Sequence, residues 1–123
     1  MTDLSILLVD DEEELVYTLA DRLEFRGYHA VAAISGAEAV KKAGENDFNV
    51  AVIDVKMPEI NGIEAMKMIK RLHPQIKVIL MTGHGSPEEG EHGMAEGAYD
   101  YMVKPINIDI LISKIKAAAG ISK

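Results

Sequence analysis

The 123-residue sequence contains no cysteine, so it forms no disulfide bond and gives no sign of an oxidising compartment. It also has no apolar run approaching the roughly 18 residues that a membrane-spanning helix needs. The first residues, MTDLS, lack the basic stretch and the long apolar core of a signal peptide. These absences predict a cytoplasmic protein without a membrane segment.

Basic charge is scarce as well. The chain has 13 Lys and Arg against 20 Asp and Glu, which gives a net charge of −7, and its basic residues are scattered. Because nucleic-acid binding needs clustered Lys and Arg to contact phosphates, we expect no direct nucleic-acid contact from this chain. A divalent cation or a basic protein surface suits this charge better. The length predicts one domain, residues 1–123.

Five short apolar runs alternate with segments of helical periodicity. The runs are rich in Val and Ile and are continuous rather than alternating, which is typical of parallel strands buried on both faces. They lie at Ile6–Val9, Ala30–Ile34, Val50–Val55, Val78–Met81 and Tyr101–Val103. With right-handed crossovers, this order predicts an α/β fold: a doubly wound (βα)5 parallel sheet with helices on both faces.

Helix starts are marked by a capping residue three positions before an acid. These pairs are Asp11 with Glu14, Asn61 with Glu64, and Ser86 with Glu89, where Pro87 also takes the first helical position. The last helix is predicted from Asn107 to Ala119. Gly90 and Gly93 fall inside the fourth helix, where each costs about 1 kcal/mol relative to Ala. We therefore expect the fourth helix to be loosely held.

Polar residues end four of the five predicted strands. In open α/β sheets, sites lie at the carboxyl ends of the strands, near the point where strand order reverses. With the flavodoxin-like order 2-1-3-4-5, strands one and three flank that point. The residues at these strand ends are Asp10, Asp11, Asp54, Thr82 and Lys104. We expect three carboxylates, a hydroxyl and an ammonium to converge there.

Crowded carboxylates need a counter-charge. Two of them 4 Å apart repel by about 1 kcal/mol in water and about 4 kcal/mol at a surface-like dielectric. Hard oxygen ligands, without cysteine or paired histidines, indicate Mg²⁺. Alternatively, residues 10–14 only solvate a helix amino terminus, where acids are favoured, and this is the interpretation we keep for Glu12, Glu13 and Glu14. Asp54, an acid that ends the apolar run VAVID, favours the cation site.

Four motifs carry a resemblance to a known family. They are DD at residues 10–11, DVKMPEING at 54–62, MTG at 81–83 and YDYMVKP at 99–105. Together, in this order and on this strand pattern, they resemble the receiver domain of two-component response regulators, including single-domain regulators of the chemotaxis type. Each motif alone is weak, but the ordered set is specific and covers essentially the whole chain.

The resemblance implies a phosphorylation-activated signalling switch. Asp54 would accept a phosphoryl group from a histidine kinase or a histidine phosphotransfer protein, and the domain would slowly dephosphorylate itself. Thr82 and Lys104 would hold phosphoryl oxygens, and a cis peptide bond would join Lys104 to Pro105. Thr82 and Tyr101 would form the conformational switch. The protein would not be a conventional enzyme, since it would catalyse only its own modification and the reverse.

The resemblance also implies a Mg²⁺ site. Asp11, Asp54 and the backbone carbonyl of Lys56 would bind the ion, with Asp10 acting mainly through water. Lys56 and His84 lie two residues after Asp54 and Thr82, at positions that vary in the family. We hypothesise that they set the lifetime of the phosphorylated state; the alternative is that both are solvated loop residues.

Partner surfaces are implied in the same way. Glu14, Leu15, Thr18 and Pro105 would contact the kinase or phosphotransfer protein. The fourth helix, fifth strand and fifth helix would dimerise, or would bind a downstream target or output domain, and the sequence does not rank these uses.

Three other functions are alternatives to a signalling switch. A phosphohydrolase with an aspartyl-phosphate intermediate needs a second acid two residues after the nucleophile, where this chain has Lys56. A flavodoxin-like cofactor protein needs a glycine- and hydroxyl-rich loop after strand one, where this chain has acids. A degenerate receiver that serves only for docking would not need the intact set of Asp54, Thr82 and Lys104.

Overall fold

The structure is a computed structural model that describes residues 4–83 and 87–121. Five strands alternate with five helices. In chain order they are β1 (Ser5–Val9), α1 (Glu13–Phe25), β2 (His29–Ala33), α2 (Gly36–Glu45), β3 (Val50–Asp54), α3 (Gly62–Leu72), β4 (Lys77–Thr82), α4 (Pro87–Ala95), β5 (Asp100–Val103) and α5 (Ile108–Ala118). Each predicted strand is present, with ends that differ by one residue at most.

The strands form one parallel sheet in the order β2-β1-β3-β4-β5, which confirms the predicted fold class and strand order. Val9 pairs with Ile53 in the sheet, and Asp54 pairs with Met81. Because these neighbouring strands run in the same direction and end at nearly the same level, the residues that follow them meet at one edge. This edge lies where the chain order reverses, between β1 and β3.

Hydrophobic clusters cover both faces of the sheet. On one face, Leu7, Ile53 and Leu80 pack with residues of α2 and α3 such as Ala39 and Met66. The neighbouring strand positions point to the other face, against α1 and α5. Both sets of strand side chains are therefore buried, which explains why the runs are continuously apolar. Each fully buried Leu or Ile contributes about 1.5–3 kcal/mol.

Helix capping agrees with the sequence in one case and not in another. Asn61 and Glu64 form the predicted capping box at the start of α3, with hydrogen bonds of 2.9 and 3.0 Å. The predicted pair Asp11 and Glu14 is wrong, since the N-cap of α1 is Glu12, whose side chain makes no capping hydrogen bond. A different acid makes a hydrogen bond at this helix start: Asp10 Oδ1 accepts the N–H of the N-cap residue Glu12 at 2.9 Å.

The starts of α4 and α5 agree with those predicted from the sequence. Helix α5 runs between Asn107, whose side chain accepts two N–H groups of the first turn, and the C-cap Ala119. Helix α4 begins at Pro87 as predicted, while its predicted cap, Ser86, lies outside the described residues. No helix in the described part of the chain is long and apolar enough to span a membrane.

Helix α4 buries glycines where other helices bury side chains. Its buried residues are Gly90 and Gly93. A Cβ atom on Gly93 would overlap the Leu80 side chain, and one on Gly90 would overlap the ring of Tyr101. The two glycines were predicted inside this helix as weak positions; the structure adds that they let its backbone approach β4 and β5 closely.

Candidate functional site

Three carboxylates meet at the carboxyl edge of the sheet. Asp10 and Asp11 follow β1, and Asp54 is the last residue of β3. One oxygen from each lies within 4.8 Å of the others, and we call this group the carboxylate cluster. Asp10 is 0% exposed and Asp54 is 5% exposed, while Asp11 is exposed to solvent. The cluster is thus buried on one side and accessible on the other.

Lys104, directly after β5, brings its ammonium into the carboxylate cluster. Its Nζ atom lies 2.7 Å from Asp10 Oδ2 and 3.5 Å from Asp54 Oδ1. A third contact, at 3.2 Å, is with Glu12 Oε1, a residue to which the sequence assigned only a solvating role. The backbone of Lys104 is fixed by its N–H, which donates to the Thr82 carbonyl at 2.9 Å. One ammonium therefore balances several acids.

The ionisation of the site reflects this imbalance. Burial raises the pKa of Asp54 to about 6; the Asp10 charge and, more weakly, Asp11 act in the same direction, while Lys104 opposes them. Burial also raises the pKa of Asp10, although Lys104 and the Glu12 N–H partly offset it. Burial lowers the pKa of Lys104, but its hydrogen bond to Asp10 and its attraction to Asp54 outweigh this and raise it. The anionic cluster is thus incompletely neutralised.

A hard divalent cation fits the donors present. The carboxylate cluster offers only oxygen ligands, as Mg²⁺ prefers. Asp10 Oδ2 is buried, and its one partner among the described residues is the ammonium of Lys104 at 2.7 Å. An anionic oxygen held in this way retains capacity for a positive partner.

The loop between β3 and α3 is tied to the site by backbone contacts. The Gly62 N–H donates to the Val55 carbonyl at 2.8 Å, and the Val55 N–H donates to the Met81 carbonyl at 2.9 Å. A Cβ atom on Gly62 would overlap the backbone carbonyl of Asp54. Glycine is therefore required at this position for α3 to begin against the end of β3.

Thr82 lies at the end of β4 and is fully buried. Its hydroxyl donates to the backbone carbonyl of Met102 in β5 at 3.3 Å. This hydrogen bond engages the hydroxyl with β5 in the structure. A group arriving at Asp54 would have to compete with the Met102 carbonyl for it.

Tyr101 and Pro105 lie in and after β5. The ring of Tyr101 is half-buried, contacts the hydrophobic cluster beneath α4, and lies against Gly90. The Lys104–Pro105 peptide bond is cis, as the resemblance implies.

The other predicted site residues are dispersed. Glu14, Thr18 and Pro105 are exposed, whereas Leu15 is half-buried against the core. The side chain of Lys56 points to α4, where its Nζ atom lies 3.4 Å from Glu89 Oε2. The sequence analysis named Glu89 only as the acid of a capping pair with Ser86 and missed its contact with Lys56, because no local pattern marks which surface acid meets a given lysine. His84 lies outside the described residues.

Comparisons with known proteins agree with this arrangement. Residues 6–116 match the family model described as the response regulator receiver domain. A putative NtrX-like response regulator of Rickettsia typhi is 34% identical over 100% of this chain. A crystal structure of a response regulator receiver domain protein from Clostridium thermocellum has a TM-score of 0.89 and 32% identity, covering 95% of this chain and 94% of that one.

A second solved structure is also similar to this chain. It is a response regulator protein from Burkholderia pseudomallei with a phosphorylated aspartic acid and a calcium ion. Its TM-score is 0.86 at 29% identity, and the match covers 96% of this chain and 69% of that one. By contrast, this chain spans about a quarter of the length of the Rickettsia relative, namely 26%.

Proposed function

The chain belongs to the response regulator receiver family, and on that premise we propose that it is a phosphorylation-activated switch with Asp54 as the phosphoacceptor. The observation that carries the proposal is the buried Asp54 carboxylate, held with two other carboxylates beside the Lys104 ammonium. An Asp54 oxygen attacks phosphorus as the phosphorus–nitrogen bond to the donor histidine breaks. The imidazole leaves, and an aspartyl phosphate remains.

Charge neutralisation drives this transfer. Lys104, already 3.5 Å from Asp54 Oδ1, offers its ammonium to a phosphoryl oxygen. The groups that would hold Mg²⁺ are the side chains of Asp11 and Asp54 and the backbone carbonyl of Lys56, and Asp10 would act through water. When bound, the ion neutralises negative charge on the acceptor and the phosphoryl oxygens. The residues around Asp54 also position its carboxylate for attack along the axis of the breaking bond.

The conformational response begins at Thr82. We propose that its hydroxyl leaves the Met102 carbonyl and donates to a phosphoryl oxygen, and that Tyr101 then moves inward. To reverse a 1:99 equilibrium, phosphorylation must favour one state by about 5.5 kcal/mol. Helix α4 presents glycine rather than large side chains to β4 and β5, so a shift of this helix breaks few apolar contacts.

The proposed partners follow from the family. A histidine kinase or phosphotransfer protein supplies the phosphoryl group and contacts Glu14, Leu15, Thr18 and Pro105. The face of α4, β5 and α5 carries the signal to a downstream target, an output domain or a second copy of the chain. Two large apolar residues on this face are exposed to solvent: Val103 is 42% exposed and Ile110 is 52% exposed.

Slow self-dephosphorylation completes the cycle. Water attacks phosphorus, and the Asp54 carboxylate is released together with inorganic phosphate. We propose that Lys56 and His84, which lie two residues after Asp54 and Thr82 in the sequence, set the rate of this step. Replacing both by Ala tests this, and a dephosphorylation rate within about twofold of wild type, or about 0.4 kcal/mol in the barrier, rejects it. Because Lys56 replaces the acid that an aspartyl-phosphate hydrolase needs for its leaving group, the site favours a switch over that enzyme.

The test is intact-mass spectrometry after incubation with acetyl phosphate and Mg²⁺. We expect one added phosphoryl group on the wild type and none on Asp54→Ala. Asp21→Ala, which removes an exposed acid of α1, is the matched control and should be labelled like the wild type. An unlabelled wild type, or equal labelling of Asp54→Ala, contradicts the proposal.

A further inference from the structure

Helix α4 is connected to the loop after β3 by one ion pair. Glu89, in the first turn of α4, places Oε2 3.4 Å from Nζ of Lys56. The Glu89 side chain is 26% exposed, and its other oxygen, Oε1, is buried without a hydrogen-bond partner in the described part of the chain. A carboxylate in this position depends on its ammonium partner for neutralisation.

The carboxylate cluster is a second set of negative charge near Lys56 in the chain. The backbone of Lys56 lies two residues after Asp54, so the carboxylate cluster is close, and the only ammonium that contacts the cluster among the described residues is Lys104. The Lys56 side chain is 74% exposed, so it is free to turn. The structure shows it turned to Glu89 instead.

We propose that Glu89 is a positioning residue that holds the Lys56 ammonium away from the phosphoacceptor in the unmodified protein. The inference deepens the proposed function and rests on it. Conversion of the Asp54 carboxylate to an aspartyl phosphate adds negative charge two residues from Lys56. Lys56 then turns from Glu89 to the phosphoryl group, and the first turn of α4 loses its connection to the β3–α3 loop.

Removing the charge of Glu89 should change the rate at which Asp54 is phosphorylated. With Glu89 neutralised, Lys56 is free to attract an anionic phosphodonor to Asp54 before any modification. Acetyl phosphate serves as the probe: its bond between phosphorus and the acetyl oxygen breaks, a bond from phosphorus to Asp54 forms, and acetate leaves. The rate of labelling at subsaturating donor therefore reports whether Lys56 is held or free.

The decisive experiment is a double-mutant cycle on this rate. We expect Glu89→Gln to label about threefold faster than wild type, a factor typical of a weak ion pair, and this gain to vanish when Lys56→Gln is also present. Glu88→Gln removes the same charge from the neighbouring position in α4 and should leave the rate unchanged. An unchanged rate in Glu89→Gln overturns the inference. So does an equal gain with Lys56→Gln present, or an equal gain from Glu88→Gln.

A second measurement does not depend on activity. The NMR signals of the Lys56 side chain should shift in Glu89→Gln without Mg²⁺. Those of Lys67, which pairs with Glu96 just after α4, should not shift. Beryllofluoride, a mimic of the phosphoryl group, should shift Lys56 in the wild type. Unmoved Lys56 signals overturn the inference. If the wild type is labelled on Asp54 but Glu89→Gln behaves like it, only this inference fails and the proposed function stands.

Discussion

The two halves of the site are built differently. On the side of β1 and β3, the carboxylate cluster and Lys104 are already assembled, and α3 is fixed by a capping box and by the close contact of Gly62 with β3. On the side of β4 and β5, the Thr82 hydroxyl is engaged with the Met102 carbonyl, and α4 rests on two glycines. One half holds charged groups in place, and we propose that the other half moves on phosphorylation; we call them the fixed half and the mobile half.

In the proposed function, the fixed half serves the phosphoryl transfer and the mobile half serves the conformational response. A phosphoryl acceptor needs groups held in fixed positions, because misplacement of the reacting atoms is costly. A switch instead needs an element with two arrangements of similar free energy. The fixed half obtains its rigidity from backbone contacts, whereas the mobile half is held by an exposed ion pair and by contacts to glycine.

The largest expected effect is on the fixed half. Gly62→Ala places a Cβ atom on the Asp54 carbonyl and the Val55 Cα, which are backbone atoms that cannot rotate away. We expect a loss of about 3 kcal/mol in the free energy of unfolding, measured with urea. Gly44→Ala, where nothing lies within 4 Å of the added atom, is the control and should not destabilise the protein. A loss below about 1 kcal/mol in Gly62→Ala would mean that the β3–α3 loop is not rigid.

The charge of the fixed half gives the next effect. Because burial raises the pKa of Asp54 to about 6, the ionised residue destabilises the fold at neutral pH. Asp54→Asn should therefore raise the free energy of unfolding by about 2 kcal/mol without Mg²⁺. Added Mg²⁺ should stabilise the wild type and have little effect on Asp54→Asn. No gain in the Mg²⁺-free protein would show that the carboxylate cluster carries no electrostatic strain.

The pH dependence tests the same shift. The unfolded chain releases the Asp54 proton near 3.8, whereas the folded protein keeps it up to about 6. Between these values the folded state binds more protons, so its stability falls as pH rises. The difference in stability between Asp54→Asn and the wild type should grow across this interval and level off above it. A flat difference from pH 4 to 7 in urea titrations would contradict the raised pKa.

Amide hydrogen exchange compares the mobile half with the rest. In unmodified protein we expect the amides of α4 to exchange at least about tenfold faster than those of α5, a difference of about 1.4 kcal/mol in opening free energy. Helix α5 buries Leu111 and Ile115, whereas α4 buries only glycines. Equal protection of the two helices would remove the distinction between the halves.

The smallest expected effect on stability lies in the mobile half itself. Gly90→Ala brings a Cβ atom onto the Tyr101 ring, but a ring can rotate where a backbone cannot. Better helix propensity, about 1 kcal/mol, offsets the clash, so we expect stability to change by less than about 1 kcal/mol. The NMR signals of the Tyr101 ring should shift clearly. An unshifted ring would show that Gly90 does not set its position.

The sequence predicted the fixed half more fully than the mobile half. Continuous apolar runs specify buried parallel strands, and parallel strands bring their carboxyl ends together, so Asp10, Asp11 and Asp54 could be placed from the sequence alone. The capping box of Asn61 and Glu64 was also predicted, because its partners lie three residues apart and interact locally.

The missed features are two local contacts at helix starts and one contact across the fold. Asp11 and Glu14 had the spacing of a capping box, but α1 begins at Glu13, and Asp10 is the acid that accepts the N–H of its N-cap residue, Glu12. Ser35, to which the sequence analysis gave no role, caps α2 by accepting the Glu38 N–H at 3.0 Å. Spacing alone does not show that Glu89 meets Lys56.

The proposed cation site depends on the three carboxylates acting together, and titration calorimetry with Mg²⁺ at neutral pH tests this most directly. We expect uptake at millimolar levels by the wild type and by Asp21→Asn, and none by Asp11→Asn, which removes the exposed ligand of the carboxylate cluster. No uptake by the wild type, or equal uptake by Asp11→Asn, would contradict the account.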